Sequence, residues 1–414
     1  MAARSIGRIL DESGGIGAGF DFLRVALAIC VVTWHQFWAV GGGAAPKDGL
    51  SGLFGSSILP MFFGLSGFLI AGSALRLRLK DFLINRGLRI FPALVVEILL
   101  SAFLLGPLVT VLALDAYFSR GGTYVYLTNI LGLINYHLPG VFSGNPSSVV
   151  NWSLWTIPYE LICYAIMAGL MVFGALKKPA FILCVFAAWL VLTAGAAAYA
   201  SFSAPLPGAL QFVLFGRGTL LLIAFLGGIA AYLYRYRIPY SPAIALLAAA
   251  ALVLIGLVNM PGGPLRLPEG VRWGAIFFLK MPLLLYLTVF IGATRIRPLP
   301  LYRRGDYSYG IYLYGAPIQQ TIKWAAPSLP AYLAFPLGLA AITAFAMFSW
   351  HVIEKPVLRL RKRFSFVARA RGVADGGTSE VGAPPPVRDE AGTVLSYGHA
   401  EAGSAAGAGS NHRL

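Results

Sequence analysis

Acidic residues are scarce in this chain of 414 residues: Asp and Glu number 16 against 32 Lys and Arg, and charged residues of both signs make up only 12%. So little charge, beside 58% hydrophobic residues, cannot clothe the surface of a soluble globule, and that class is excluded. Cysteine is nearly absent. Cys30, Cys163 and Cys184 fall inside apolar stretches with no metal-site or disulfide spacing, so they read as small hydrophobes and no metal is expected. The first 20 residues carry Arg4, Arg8, Asp11 and Glu12 and no apolar core, so no cleaved signal peptide is expected and the first helix serves as its own anchor. Internal repeats and paired hydropathy halves are lacking as well.

Long apolar runs are what the chain has. They recur at roughly 22–40, 55–75, 91–113, 153–174, 180–200, 213–234, 242–260, 274–293, 307–325 and 331–352. Membrane barrels show short alternating segments instead. The pattern predicts an all-α, polytopic transmembrane helical bundle of about ten helices. Lys and Arg gather in alternate connections: Arg76, Arg78, Lys80, Arg86 and Arg89, then Lys177, Lys178, Arg235 and Arg237, then Arg295, Arg297, Arg303 and Arg304. Other connections hold only Lys47, Arg120, Arg217, Arg266 and Arg272, which places both termini in the cytoplasm. That asymmetry, rather than nucleic acid, accounts for the net charge of +16. The expected organisation is a cytoplasmic segment at 1–21, the membrane domain at 22–357, and a basic, then Gly/Ala/Ser/Pro-rich cytoplasmic tail at 358–414.

Polar residues inside the spans mark the chemistry. Arg24 and His35 share the first run. Eleven steps of helix raise His35 by about 16 Å, roughly half the hydrocarbon thickness, and return it to the same face as Arg24. An isolated histidine can simply hydrogen-bond a neighbouring helix; the aligned arginine favours a cavity or reaction path. In the second run, Gly64, Ser66, Gly67, Gly72 and Ser73 suit close helix packing, or Ser66 faces a cavity. Arg86 and Arg89 lie three apart on one face and can grip phosphates, or they can answer the charge bias and lipid headgroups. Glu97 is expected to find a structural partner.

The connection 114–152 is too polar to span, and its Tyr and Asn residues suit sugars or the membrane surface, with His137 a weak candidate. Beyond it Asn151, Trp152, Ser153, Trp155 and Glu160 cluster at the start of the fourth helix, where Pro158 removes a backbone donor and Glu160 can orient a histidine or a hydroxyl. Helices five to eight read as scaffold, with Arg217 and Lys280 as charged ends. The ninth presents Tyr307, Tyr309, Tyr312 and Tyr314 beside Gln319 and Gln320.

Taken in order, the Arg24–His35 spacing, FFGLSGFLI at 62–70, NRGLRIFP at 85–92, NWSLWTIPYE at 151–160, YSYGIYLYGAP at 307–317 and IEKP at 353–356 resemble the acyltransferase-3 family of bacterial integral-membrane O-acyltransferases. Where many members carry a histidine after the SYGIYL pattern, this chain has Gly315. The resemblance implies transfer of an acyl group, acetyl or another short one, from cytoplasmic acyl-CoA as co-substrate to a hydroxyl of a cell-surface carbohydrate or glycolipid. No cofactor would be bound, and the place would be the bacterial inner membrane, among its lipids. His35, Arg24 and Glu160 would be catalytic, and Arg86, Arg89, Ser66, Asn151, Trp152, Ser153 and Tyr309 would bind substrate. The alternative is a transporter or flippase of an acylated or lipid-linked sugar, with His35, Glu97 and Glu160 as a proton relay.

Overall fold

The computed structural model describes residues 4–14, 17, 19–203, 206–260, 267–296, 300–302 and 305–359. Arg266, Arg297, Arg303, Arg304 and the tail from 360 lie outside the described residues. Hydrocarbon leaves a backbone no water to bond, so apolar runs close their hydrogen bonds within helices, and each of the ten expected runs coincides with one. After α1 (Ile6–Glu12) come α2 (Gly19–Trp34), α3 (Gly49–Ala74), α4 (Leu79–Leu100), α5 (Ile157–Val172) and α6 (Pro179–Ala200). The short α7 (Gly208–Phe215) leads to α8 (Arg217–Leu233), α9 (Pro242–Val258), α10 (Glu269–Ala293), α11 (Ser308–Ala325) and α12 (Ala331–Ser349). No strand occurs among the described residues; Ser5 and Pro239 form an isolated bridge.

Among the described residues, seven helices are long and apolar enough to cross a membrane, and α7 with α8, bent by 45°, makes an eighth if the pair is one broken span. Of the other two runs, α9 has only 17 residues, and α11 is diluted by tyrosines, Gln319, Gln320 and Lys323. Large apolar side chains such as Phe173, Leu192, Leu246 and Leu247 point outward, which suits a lipid surface and would be costly in water. The protein is therefore a multi-pass membrane protein.

The small residues of α3 act in packing. A Cβ on Gly67 would lie 2.1 Å from the carbonyl oxygen of Phe225, and one on Gly228 would lie 2.0 Å from that of Gly64, so α3 and α8 meet backbone to backbone. On the other side of α2, helix α11 packs against both α2 and α12. The connection 114–152 forms only short helices at Leu114–Ser119, Gly121–Val125 and Tyr126–Leu131, none long enough to span.

Candidate active site

Two cavities lie along α2. The first, of about 160 Å³, is lined by Arg24, Ser66, Arg86, Arg89, Glu160 and Tyr309 together with Tyr164 and apolar residues of α3. The second, of about 540 Å³, holds His35, Trp38, Trp152, Trp155, Tyr136 and Arg217. Leu59 and Tyr312 line both. Arg24 on α2 lines the basic cavity, and His35, in the turn that continues α2, lines its neighbour.

In the basic cavity the arginines differ. Arg89 Nη2 donates to Asp306 Oδ2 at 2.7 Å, and Arg24 Nη1 donates to the same oxygen at 3.1 Å. Arg89 Nη1 also lies 3.6 Å from the buried Glu354, and its guanidinium sits over the rings of Tyr309 and Trp350. Burial alone would push the Asp306 carboxyl up, but Arg89, Arg24 and the Ser308 hydroxyl outweigh it and hold it at about 2. Arg86 has no ion pair among the described residues, its Nε is buried without a hydrogen-bond partner, and its guanidinium lies 6.0 Å from the Phe82 ring. It is the arginine left with binding capacity. Glu160 accepts from the Tyr164 hydroxyl one turn along α5 and faces these arginines.

At His35 the helix changes form. The α-turns of α2 give way to a π-helical segment, His35–Val40, a rare local widening that recurs at functional sites. The widening is pinned from α11, where Gln319 Nε2 donates to the carbonyl of Val32 and to Gln36 Oε1, both at 2.9 Å. His35 has no hydrogen bond to a described residue; its ring faces that of Trp152 at 5.7 Å. Its nitrogens remain available to a substrate. Gln320 in turn donates to the carbonyls of Ser147 and Val149 at 2.7 Å, which sets the loop that delivers Trp152.

The remaining expected residues fall elsewhere. Asn151 is fully buried; its amide donates to Glu97 Oε1 and to the Leu313 carbonyl at 2.9 Å, and its oxygen caps Ser153 N at 2.9 Å. Asn151 and Ser153 tie α4, α5 and α11 together and line neither cavity. Glu97, also bonded by Ser101, has the structural partners its isolation suggested, and it lines neither cavity. His137 is held by Ser148 at 3.2 Å. Gly315 backs onto α2, where a Cβ would lie 3.0 Å from Val32. Sequence reasoning missed Asp306 and Glu354, though Asp306 immediately precedes YSYGIYLYGAP and Glu354 lies in IEKP. Two charges read as helix ends belong to cavities: Arg217 faces that of His35, and Lys280 lies well inside α10. No cluster of His, Cys, Asp and Glu suited to a metal occurs among the described residues.

With this geometry in place, comparison with known proteins gives a consistent picture. A family model described as an acyltransferase domain, acyltransferase-3, matches residues 18–351. The chain is 28% identical over 353 residues to an "O-acetyl transferase" of Shigella phage Sf6, which covers 82% of this chain and 95% of that protein. It is 28% identical over 379 residues to "Nodulation protein 10" of Rhizobium leguminosarum bv. viciae, covering 88% of this chain and 99% of the other. No solved structure matches significantly.

Proposed function

The chain belongs to the acyltransferase-3 family, and from that premise we propose that it moves an acyl group from acyl-CoA, engaged at the basic cavity, to a hydroxyl of a carbohydrate or glycolipid in the His35 cavity. The observation that carries this reading is the pair of cavities on one face of α2, separated by Leu59 and Tyr312. A cavity of about 160 Å³ is too small to engulf a whole nucleotide thioester. It suits the narrow pantetheine arm, with Arg86 reaching the phosphates nearer the surface. The larger cavity, walled by Trp152, Trp155, Trp38 and Tyr136, offers the flat aromatic faces on which sugar rings pack.

The chemistry follows from the placement. The acceptor oxygen attacks the thioester carbonyl carbon, a C–O bond forms as the C–S bond breaks, and His35 passes the hydroxyl proton to the departing CoA sulfur. Proton transfer of this kind is typically worth roughly a hundred- to ten-thousandfold in rate. Arg24, fixed by Asp306, lies about 16 Å from His35 by helix rise, so it adds its positive charge to the donor's cavity rather than at the reacting carbonyl. We assign the acyl group as acetyl or another short chain, the membrane as the bacterial inner membrane, and the basic cavity to its cytoplasmic side, where acyl-CoA is made and where Lys and Arg concentrate.

Sealed vesicles of known orientation test this. Labelled acetyl-CoA supplied to the face that carries the basic connections should label the acceptor; label transferred only from the opposite face would overturn the reading.

A further inference from the structure

A third cavity, of about 430 Å³, lies beside the His35 cavity, and Trp34 lines both. Its α10 wall presents Arg272, Ile276 and Lys280, spaced four apart and so on one helix face. Lys280 is only 8% exposed, lies eleven residues inside α10, and has one hydrogen-bond partner, the Ser56 hydroxyl at 2.8 Å. By helix rise that is about 16 Å below Glu269 at the cavity mouth. Neither Lys280 nor Arg272 has a carboxylate within ion-pair distance among the described residues. Of the acidic residues in the lining, Asp48 accepts from Asn259 at 3.3 Å, and Glu269 is exposed at the mouth.

A buried ammonium compensated by one neutral hydroxyl is poorly paid for its lost hydration, and ionisable groups at membrane depth are typically functional. We infer that this cavity is an anion-binding subsite for the acceptor, in which Lys280 and Arg272 hold an oxyanion carried next to the hydroxyl to be acylated, either a sugar carboxylate or the phosphate of a lipid carrier. One indole, that of Trp34, separates the anion from the His35 cavity, and Gly55 lets it seat there: a Cβ on Gly55 would lie 2.3 Å from the Trp34 ring. The acceptor is therefore acidic, with its charge held across the Trp34 indole from the His35 cavity. This inference rests on the reading of the His35 cavity as the acceptor chamber.

Calorimetric titration of the full-length protein in phosphatidylcholine nanodiscs, with sodium glucuronate and separately with inorganic phosphate, tests it without turnover or acyl-CoA. Failure here therefore leaves the vesicle experiment standing, and the reverse also holds. Wild type should bind one of the two anions, K280Q should bind it roughly tenfold more weakly, as loss of a charge-assisted hydrogen bond implies, and K280R should restore it. The basic cavity is intact in K280Q, so the difference reports this cavity alone. Binding of glucuronate points to an acidic sugar and binding of phosphate to a phosphorylated carrier. Equal binding by wild type and K280Q, or binding of neither anion by wild type, would overturn the inference. So would displacement of the bound anion when phosphatidylglycerol is added to the discs, which would give the cavity to bulk lipid.

Discussion

Asp306 and Arg89 lie 217 residues apart in sequence and 2.7 Å apart in the fold, and the same carboxylate oxygen also accepts from Arg24. One acidic group thus links α2, α4 and the entry to α11, and it fixes two of the three arginines that line the basic cavity. The neutralisation has a cost in specificity of role: an arginine engaged this way is less free for substrate than Arg86.

Replacing Asp306 with Asn should therefore destabilise the bundle more than it changes donor affinity. Removing one partner from a buried ionic network costs about 3–5 kcal/mol, and the partial exposure of Asp306 places the expected loss at the lower end. The pH dependence has a defined sign. Asp306 titrates at about 2 when folded, below the ordinary carboxylate value, so its stabilisation is complete above about pH 4 and fades as pH falls toward 2. The difference in melting temperature between wild type and D306N should shrink over that window; a difference that stays constant from pH 6 to 2 would show that the carboxylate is not the source.

How much of this was legible in the sequence depends on distance along the chain. Arg24 with His35, and Arg86 with Arg89, are pairs within one helix, and helical periodicity alone puts each pair on one face. Ser66, Glu160 and Tyr309 line the basic cavity, so Glu160 joins the arginines rather than His35, because which side of a bundle a helix position meets is decided by neighbours far away in sequence. Asn151 looked like a sugar-binding amide; only the fold reveals that Glu97 and the Leu313 carbonyl already use both its protons. Lys280 reads as a helix end if the apolar run starts at 274, whereas α10 begins at Glu269 with Arg272 inside it. The Lys and Arg tally could place connections on two sides, but it could not say that Arg217, just past the bend between α7 and α8, faces the histidine cavity.

The arginines of NRGLRIFP should separate kinetically. R86Q removes an unpaired guanidinium that contacts the donor in ground and transition states alike, so KM for acyl-CoA should rise roughly tenfold with kcat little changed. R89Q removes one of the two arginines on Asp306 and the ion-pair partner of Glu354, so it should lower melting temperature and kcat together. Steady-state kinetics on both variants in nanodiscs check this, and the reverse pattern would exchange the two roles.

His35→Ala should lower kcat by roughly a hundred- to ten-thousandfold, the usual span for a lost general base, while acyl-CoA still binds because the basic cavity is separate. His35 makes no hydrogen bond to a described residue, so the substitution removes little structure and the melting temperature should hold. Donor binding measured by titration alongside turnover distinguishes the two effects. Near-normal acylation by H35A would remove His35 from the mechanism.

The wall between the cavities gives the sharpest test of a two-chamber enzyme. Tyr312 lines both; its hydroxyl lies 2.6 Å from that of Thr156 and donates to the Ser153 carbonyl at 3.2 Å, while its ring meets Phe62 edge-on. If the thioester passes this wall only when an acceptor fills the far side, the wall keeps water from taking the acyl group. Y312A should then release CoA without acceptor several-fold faster than wild type, and a smaller share of the acyl group should reach the acceptor. Y312F keeps the ring and loses only the hydroxyl's bonds, worth about 1 kcal/mol in stability, so its coupling should stay close to wild type. Free thiol release, measured with and without acceptor, gives the ratio directly. An unchanged ratio in Y312A would mean that the two cavities do not exchange the acyl group across this residue, and the path from Arg86 to His35 would have to run elsewhere.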